Sequence, residues 1–153
     1  MSTYAVQLLQ SARVNAKPFA GTSGVLLSPA NQLFGTYKDL KGYQRSQGGK
    51  NYFGWHAHHI VEKQDLDRLA VSHRFPPDED QLCVLLPERA HIGRVSSVLR
   101  NQAAMGIQML ATELRGAYFS SYSMIGDYCG GGETAIRREL MAIVNATFKR
   151  AGF

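Results

Sequence analysis

Apolar and polar positions alternate in different ways along the chain, and the changes mark out its elements. Residues 3–14 carry apolar side chains at a spacing that predicts a short amphipathic helix. Gly21, Gly24, Pro29 and Asn31 then break the pattern, which predicts loop. Residues 35–49 are polar, basic and rich in Tyr and Gly, as expected of an exposed loop around a short helix at Tyr37–Tyr43. The aromatic and β-branched content of Tyr52–Val61 predicts a strand. Pro76–Asp80 reads as a turn, and Cys83–Leu86 as a short buried strand that Pro87 ends. From Glu88 the period becomes helical, with Ile92, Val95, Val98 and Leu99 on one face. A second helix is expected over Met105–Leu114. After the Gly130–Gly132 turn comes a last helix, Glu133–Lys149, with Ile136, Leu140, Ile143, Val144 and Phe148 facing inward. The central order of strand, loop, strand and helix, with helices on both sides, predicts an α+β fold.

With 153 residues, 44% apolar and 19% charged, the chain suits one packed domain of ordinary size. No apolar run approaches the roughly 20 residues that span a bilayer, so no membrane partner is expected. The first ten residues lack a basic start followed by an apolar stretch, so no removable secretory signal is expected. Cys83 and Cys129 are the only cysteines, which excludes a disulfide framework and an all-cysteine metal site. The net charge of +5 is concentrated early: residues 1–60 hold six basic side chains and one acidic. That excess sits around Lys38, Lys41, Arg45 and Lys50, which could track a phosphate backbone. A solvated basic loop is the plainer alternative.

Chemistry concentrates in the histidines. His56, His58 and His59 lie within four residues of one another. On a strand, His56 and His58 share one face and His59 points to the other. His91 sits one turn into the helix that begins at Glu88. A strand histidine and a helix histidine facing each other can hold one divalent metal through neutral imidazole nitrogens. The neighbouring strand histidine, brought round by a turn or bulge, is then free to act as a base.

The run Ala57-His58-His59-Ile60-Val61, followed by Val84-Leu85-Leu86-Pro87 and a helical His91, resembles the AHH branch of the HNH/endonuclease VII nucleases. That branch occurs as toxin domains at the ends of bacterial polymorphic toxins. Phe34–Leu40 and the glycine-rich stretch after it are also similar to what precedes the paired histidines there. The resemblance covers about residues 34–100 and implies a ββα-metal core with flanking helices. The single nuclease domain 1–153 then divides into an N-terminal helix and loop (1–33), the core (34–104) and a C-terminal helical part (105–153).

Carried over position by position, the resemblance makes His58 and His91 ligands of one divalent ion (Mg2+, Mn2+, Zn2+ or Ni2+) and His59 the general base that activates water. Where members of the branch often have an orienting Asn, this chain has Leu82; where some have a further histidine, it has Val95. His56 and Glu62 are the nearest candidates for the third ligand or the orienting group. Arg94, three residues after His91, is the candidate phosphate clasp. The implied activity is a sequence-nonspecific endonuclease, DNA-directed, acting as an antibacterial toxin. It would work in the cytoplasm of a target cell reached without a signal peptide, and an acidic immunity protein would protect the producing cell. Otherwise the chain is expected to be cytoplasmic. Two alternatives stay open: a non-catalytic zinc-stabilised nucleic-acid-binding module, and a ribonuclease that uses paired histidines without metal. His73 reads as a solvated loop residue, Trp55 and Phe53 as core aromatics, and Cys83 as a small core residue.

Overall fold

The computed structural model describes residues 3–48, 55–68, 70–87, 114–118, 122 and 133–153. Their helices include α1 (Thr3–Ser11), α2 (Tyr37–Ser46), α3 (Lys63–Arg68) and α4 (Glu133–Arg150), and residues 114–118 are helical as well. The strands are β1 (Lys17–Pro18), β2 (Leu26–Leu27), β3 (Leu33–Gly35), β4 (Trp55–His59) and β5 (Cys83–Pro87). They form one antiparallel sheet in the order β1-β2-β3-β5-β4. The fold is therefore mixed α+β. The two strands expected around the histidine run and Cys83 do pair, from Trp55 opposite Pro87 to His59 opposite Cys83.

Strict alternation along these strands builds two cores. Phe34, Val84 and Leu86 face the larger one, where Leu8 and Leu9 of α1 and Ile136, Leu140, Ile143, Val144 and Phe148 of α4 close over the sheet. All five α4 positions predicted to face inward are buried. On the opposite face, Leu40 of α2 meets Val25, Ala57, Cys83 and Leu85, with Trp55 and Tyr43 packed at the edge. Each fully buried Phe, Leu, Ile or Val contributes about 1.5–3 kcal/mol.

Two differences from the sequence reading stand out. Residues 17–35, expected as loop, supply three strands of two or three residues. Runs this short carry no detectable two-residue period, so only their turn chemistry shows in the sequence. The β2–β3 turn has Asn31 in the left-handed region (φ 61°) and is closed by hydrogen bonds between Ser28 and Gln32 and between Asn31 and Ser28. The second is α3, whose six residues are too few for a helical period. The helices expected from Glu88 and over Met105–Leu114, apart from Leu114 itself, lie outside the described residues.

The β2–β3 turn is tied to α4 through one carboxylate. Glu139 accepts from the Ser28 hydroxyl (2.6 Å) and from the Ala30 amide (3.0 Å). Burial nonetheless raises the Glu139 carboxyl above its ordinary value, against the lowering effect of those two bonds. Glu139→Ala leaves both donors without this acceptor and should cost about 1–3 kcal/mol. Urea unfolding of variant and wild type measures the difference as a lower midpoint at unchanged slope.

Candidate functional site

The site gathers where β4 ends. On one flank of α2, Gln44 donates its amide to the Trp55 carbonyl (2.7 Å), fixing the helix beside the start of β4. Thr36 caps the helix by accepting from the Asp39 amide (3.2 Å). Tyr37, in the first turn, is thereby laid flat against His59, with ring centroids 5.5 Å apart and planes 12° from parallel. The Lys41 ammonium stands 5.3 Å from the centre of the Tyr37 ring.

Contrary to expectation, no turn or bulge brings His59 round to the His58 face: it occupies a regular ladder position opposite Cys83 and faces the α2 side of the sheet. Its Nε2 is shut off from solvent and faces Asp78 Oδ1 at 3.4 Å, an ion-pair distance rather than a formed hydrogen bond. Asp78 comes from a short 3-10 turn, Asp78–Asp80, in the segment whose sequence predicted only a turn. A carboxylate at this nitrogen favours the tautomer that carries its proton on Nε2.

His58 points the other way and is 1% exposed. Its Nε2 lies 2.8 Å from Tyr122 Oη, and that hydroxyl donates its one proton to the Ile60 carbonyl at 2.6 Å. The hydroxyl must therefore accept from His58, which places the ring proton on Nε2 and the lone pair on Nδ1. Nδ1 faces Glu62 Oε1 at 3.6 Å. The Glu62 amide donates to Tyr118 Oη (2.8 Å), and Tyr118 in turn donates to Asp65 Oδ2 (2.5 Å). Burial first, then the charges of Asp65 and Asp78, push the Glu62 carboxyl up to about 7. Burial also raises both tyrosine hydroxyls well above their ordinary value, so they serve as neutral hydrogen-bonding groups.

Two ligands about 2.1 Å from one tetrahedral ion stand roughly 3.4 Å apart. The His58 Nδ1–Glu62 Oε1 pair, at 3.6 Å, fits two positions of such a shell. Among the described residues no group of three or more His, Cys, Asp or Glu is arranged to hold a metal. His91, the second expected ligand, Arg94 and Lys50 lie outside the described residues. His56 stands on the His58 face of β4, opposite Leu86. Lys41 flanks Tyr37, while Lys38 and Arg45 are exposed on α2. His73 is exposed, Trp55 packs on the smaller core, and burial raises the Cys83 thiol, all in keeping with their plainer readings.

Tyr37, Asp78, Tyr118 and Tyr122 were not singled out as site residues from the sequence. Asp78 is 19 positions from His59, and no spacing rule joins a strand end to a turn that distant. The comparisons with family models, curated proteins and solved structures yield no match to the chain.

Tyr122→Phe removes the group that joins His58 Nε2 to the Ile60 carbonyl. It should destabilise the protein by about 1–3 kcal/mol, read from urea unfolding. The ring-nitrogen NMR shifts of His58 should also lose the protonated-Nε2 signature that wild type shows.

Proposed function

We propose that the chain is a metal-dependent endonuclease with little sequence preference, hydrolysing DNA phosphodiester bonds as an antibacterial toxin or effector domain. The observation that carries this reading is the clamped imidazole of His59, stacked on Tyr37 with its Nε2 turned to Asp78. With the proton of the neutral ring on Nε2, Nδ1 keeps the lone pair that takes a proton from the attacking water. Asp78 is the orienting group and Tyr37 fixes the ring plane, so both are positioning residues.

His58 through Nδ1, Glu62 through Oε1 and His91 would hold one divalent ion, with His56 as a further candidate; Mg2+, Mn2+, Zn2+ and Ni2+ all suit nitrogen and oxygen donors to some degree. When bound, such an ion polarises the scissile phosphate and offsets charge on the departing oxygen. Arg94 would clasp the phosphate, and Lys38, Lys41, Arg45 and Lys50 would hold the strand. The place of action is the cytoplasm of a target cell, reached without a signal peptide, and an acidic immunity protein would block the basic face. Among the described residues no helix is long and apolar enough to cross a membrane.

The non-catalytic, zinc-stabilised reading has support of its own in His58, which is buried and already bonded to Tyr122. Incubation of supercoiled plasmid separates the readings. Wild type should nick it, chelator should stop nicking, and added Mg2+, Mn2+, Ni2+ or Zn2+ should restore it. His59→Ala should lose about 10²–10⁴-fold in rate with its fold intact. Asp78→Asn should lose less and displace the pH–rate profile. Nicking that persists in His59→Ala sinks the assignment of the base. Cleavage of RNA in chelator would instead favour a metal-free ribonuclease.

A further inference from the structure

Helix α2 has a second flank. Tyr37, Lys41 and Gln44 share the side that meets β4, whereas Lys38, Gly42 and Arg45 lie on the adjoining flank, about 100° round the axis. There a groove of about 310 Å³ runs between the helix and the loop joining β1 to β2. Its walls include Ser23 from the loop and Lys38, Gly42, Tyr43 and Arg45 from the helix.

Gly42 is the unexpected member. A glycine inside a helix destabilises it relative to alanine and needs a reason. Neither backbone nor packing supplies one here. Gly42 is not among the glycines of positive φ, and a Cβ built on it meets nothing within 4 Å. Its effect is to leave the helix wall of the groove bare between two exposed cations. Lys38 and Arg45, seven positions apart, are separated by about 10.5 Å along the axis. Asp39 also lines the groove, but its carboxylate is turned on to Gly24, where any side chain would collide with it. Tyr43 forms a fixed aromatic wall, held edge-on by Phe19 with centroids 5.7 Å apart. Cations along a channel with an aromatic face beside them are the usual means of holding single-stranded nucleic acid without regard to sequence.

We propose that this groove binds a single-stranded stretch of nucleic acid, its phosphates at Lys38 and Arg45 and a base against Tyr43. The proposal rests on the nuclease reading for why such a strand would be present, but its recognition chemistry is independent of cleavage. The strand would run along the flank of α2 next to the one that meets His59, and His59 does not line the groove, so the groove is a holding site and not the place of reaction.

The test is fluorescence anisotropy of a labelled oligothymidylate with the full chain in chelator, where metal-dependent cleavage cannot interfere. Wild type should bind it. Gly42→Leu, which covers that bare wall without changing charge, should weaken binding at least tenfold while melting at or above the wild-type temperature. Gly42→Ala controls for the helix and should weaken it far less. Replacing Lys38 and Arg45 together by Gln should lower the slope of log affinity against log salt by roughly 1.4, at about 0.7 per phosphate contact. No binding by wild type overturns the proposal, as does Gly42→Leu binding like wild type. Oligonucleotide binding that obeys this pattern, in a protein that leaves plasmid uncut with metal, would sink the nuclease reading and leave the groove standing. Plasmid cleavage with Gly42→Leu binding unchanged would do the reverse.

Discussion

The register of one antiparallel ladder decides what the histidines can do. Each step along β4 reverses the face, so Ala57 meets α2, His58 enters the larger core and His59 returns to the α2 side. The partner strand holds that register from both sides, with Val84 and Leu86 in one core and Cys83 and Leu85 in the other. A slip of one residue would turn His59 into the larger core and carry His58 out toward α2. The energy that prevents the slip comes from aliphatic burial. The imidazoles are thus oriented mainly by side chains that take no part in any chemistry.

Charge is sorted around the same strand end. Lys41 lies over the Tyr37 ring, and Asp78 lies at Nε2 of His59. Asp65 and Asp78 are near enough to Glu62 to raise its carboxyl, which burial alone already disfavours as an anion. A phosphodiester approaching this group of carboxylates would meet repulsion on the order of 1 kcal/mol per charge at 4 Å in water, and more where solvent is excluded. On the nuclease proposal, that repulsion is a physical reason for a divalent cation between the carboxylates and the substrate.

What could be foreseen in the chain depended on the length of each signal. The inward face of α4 repeats over 18 residues, and every position named from its period is buried. β4 and β5 announce themselves through Trp55, Cys83 and the aliphatic run after it. The strands of residues 17–35 do not, because two paired residues show no period and owe their pairing to the sheet already formed beside them. The histidine run was visible at once, and so was the division of its faces. Asp78, Tyr118 and Tyr122 were not, because their meaning comes from contacts across 19 to 64 positions of chain. Sequence patterns report periodicity within an element far better than pairing between distant ones.

Adjacent imidazoles on opposite faces of a regular strand cannot share one ion without leaving the ladder, and here the ladder runs unbroken through His59. The two must therefore have separate tasks. His58, closed in by Tyr122 and Glu62, has the surroundings of a group that holds something in place. His59 stands differently: its ring is stacked on Tyr37 and its Nε2 faces Asp78, whose side chain remains 45% exposed. Even as an ion pair, a contact so open to water would stabilise a fold by at most about 1 kcal/mol. A purely structural histidine cluster accounts for the first arrangement; on the nuclease proposal the second is the base, held on the other face of the strand from His58.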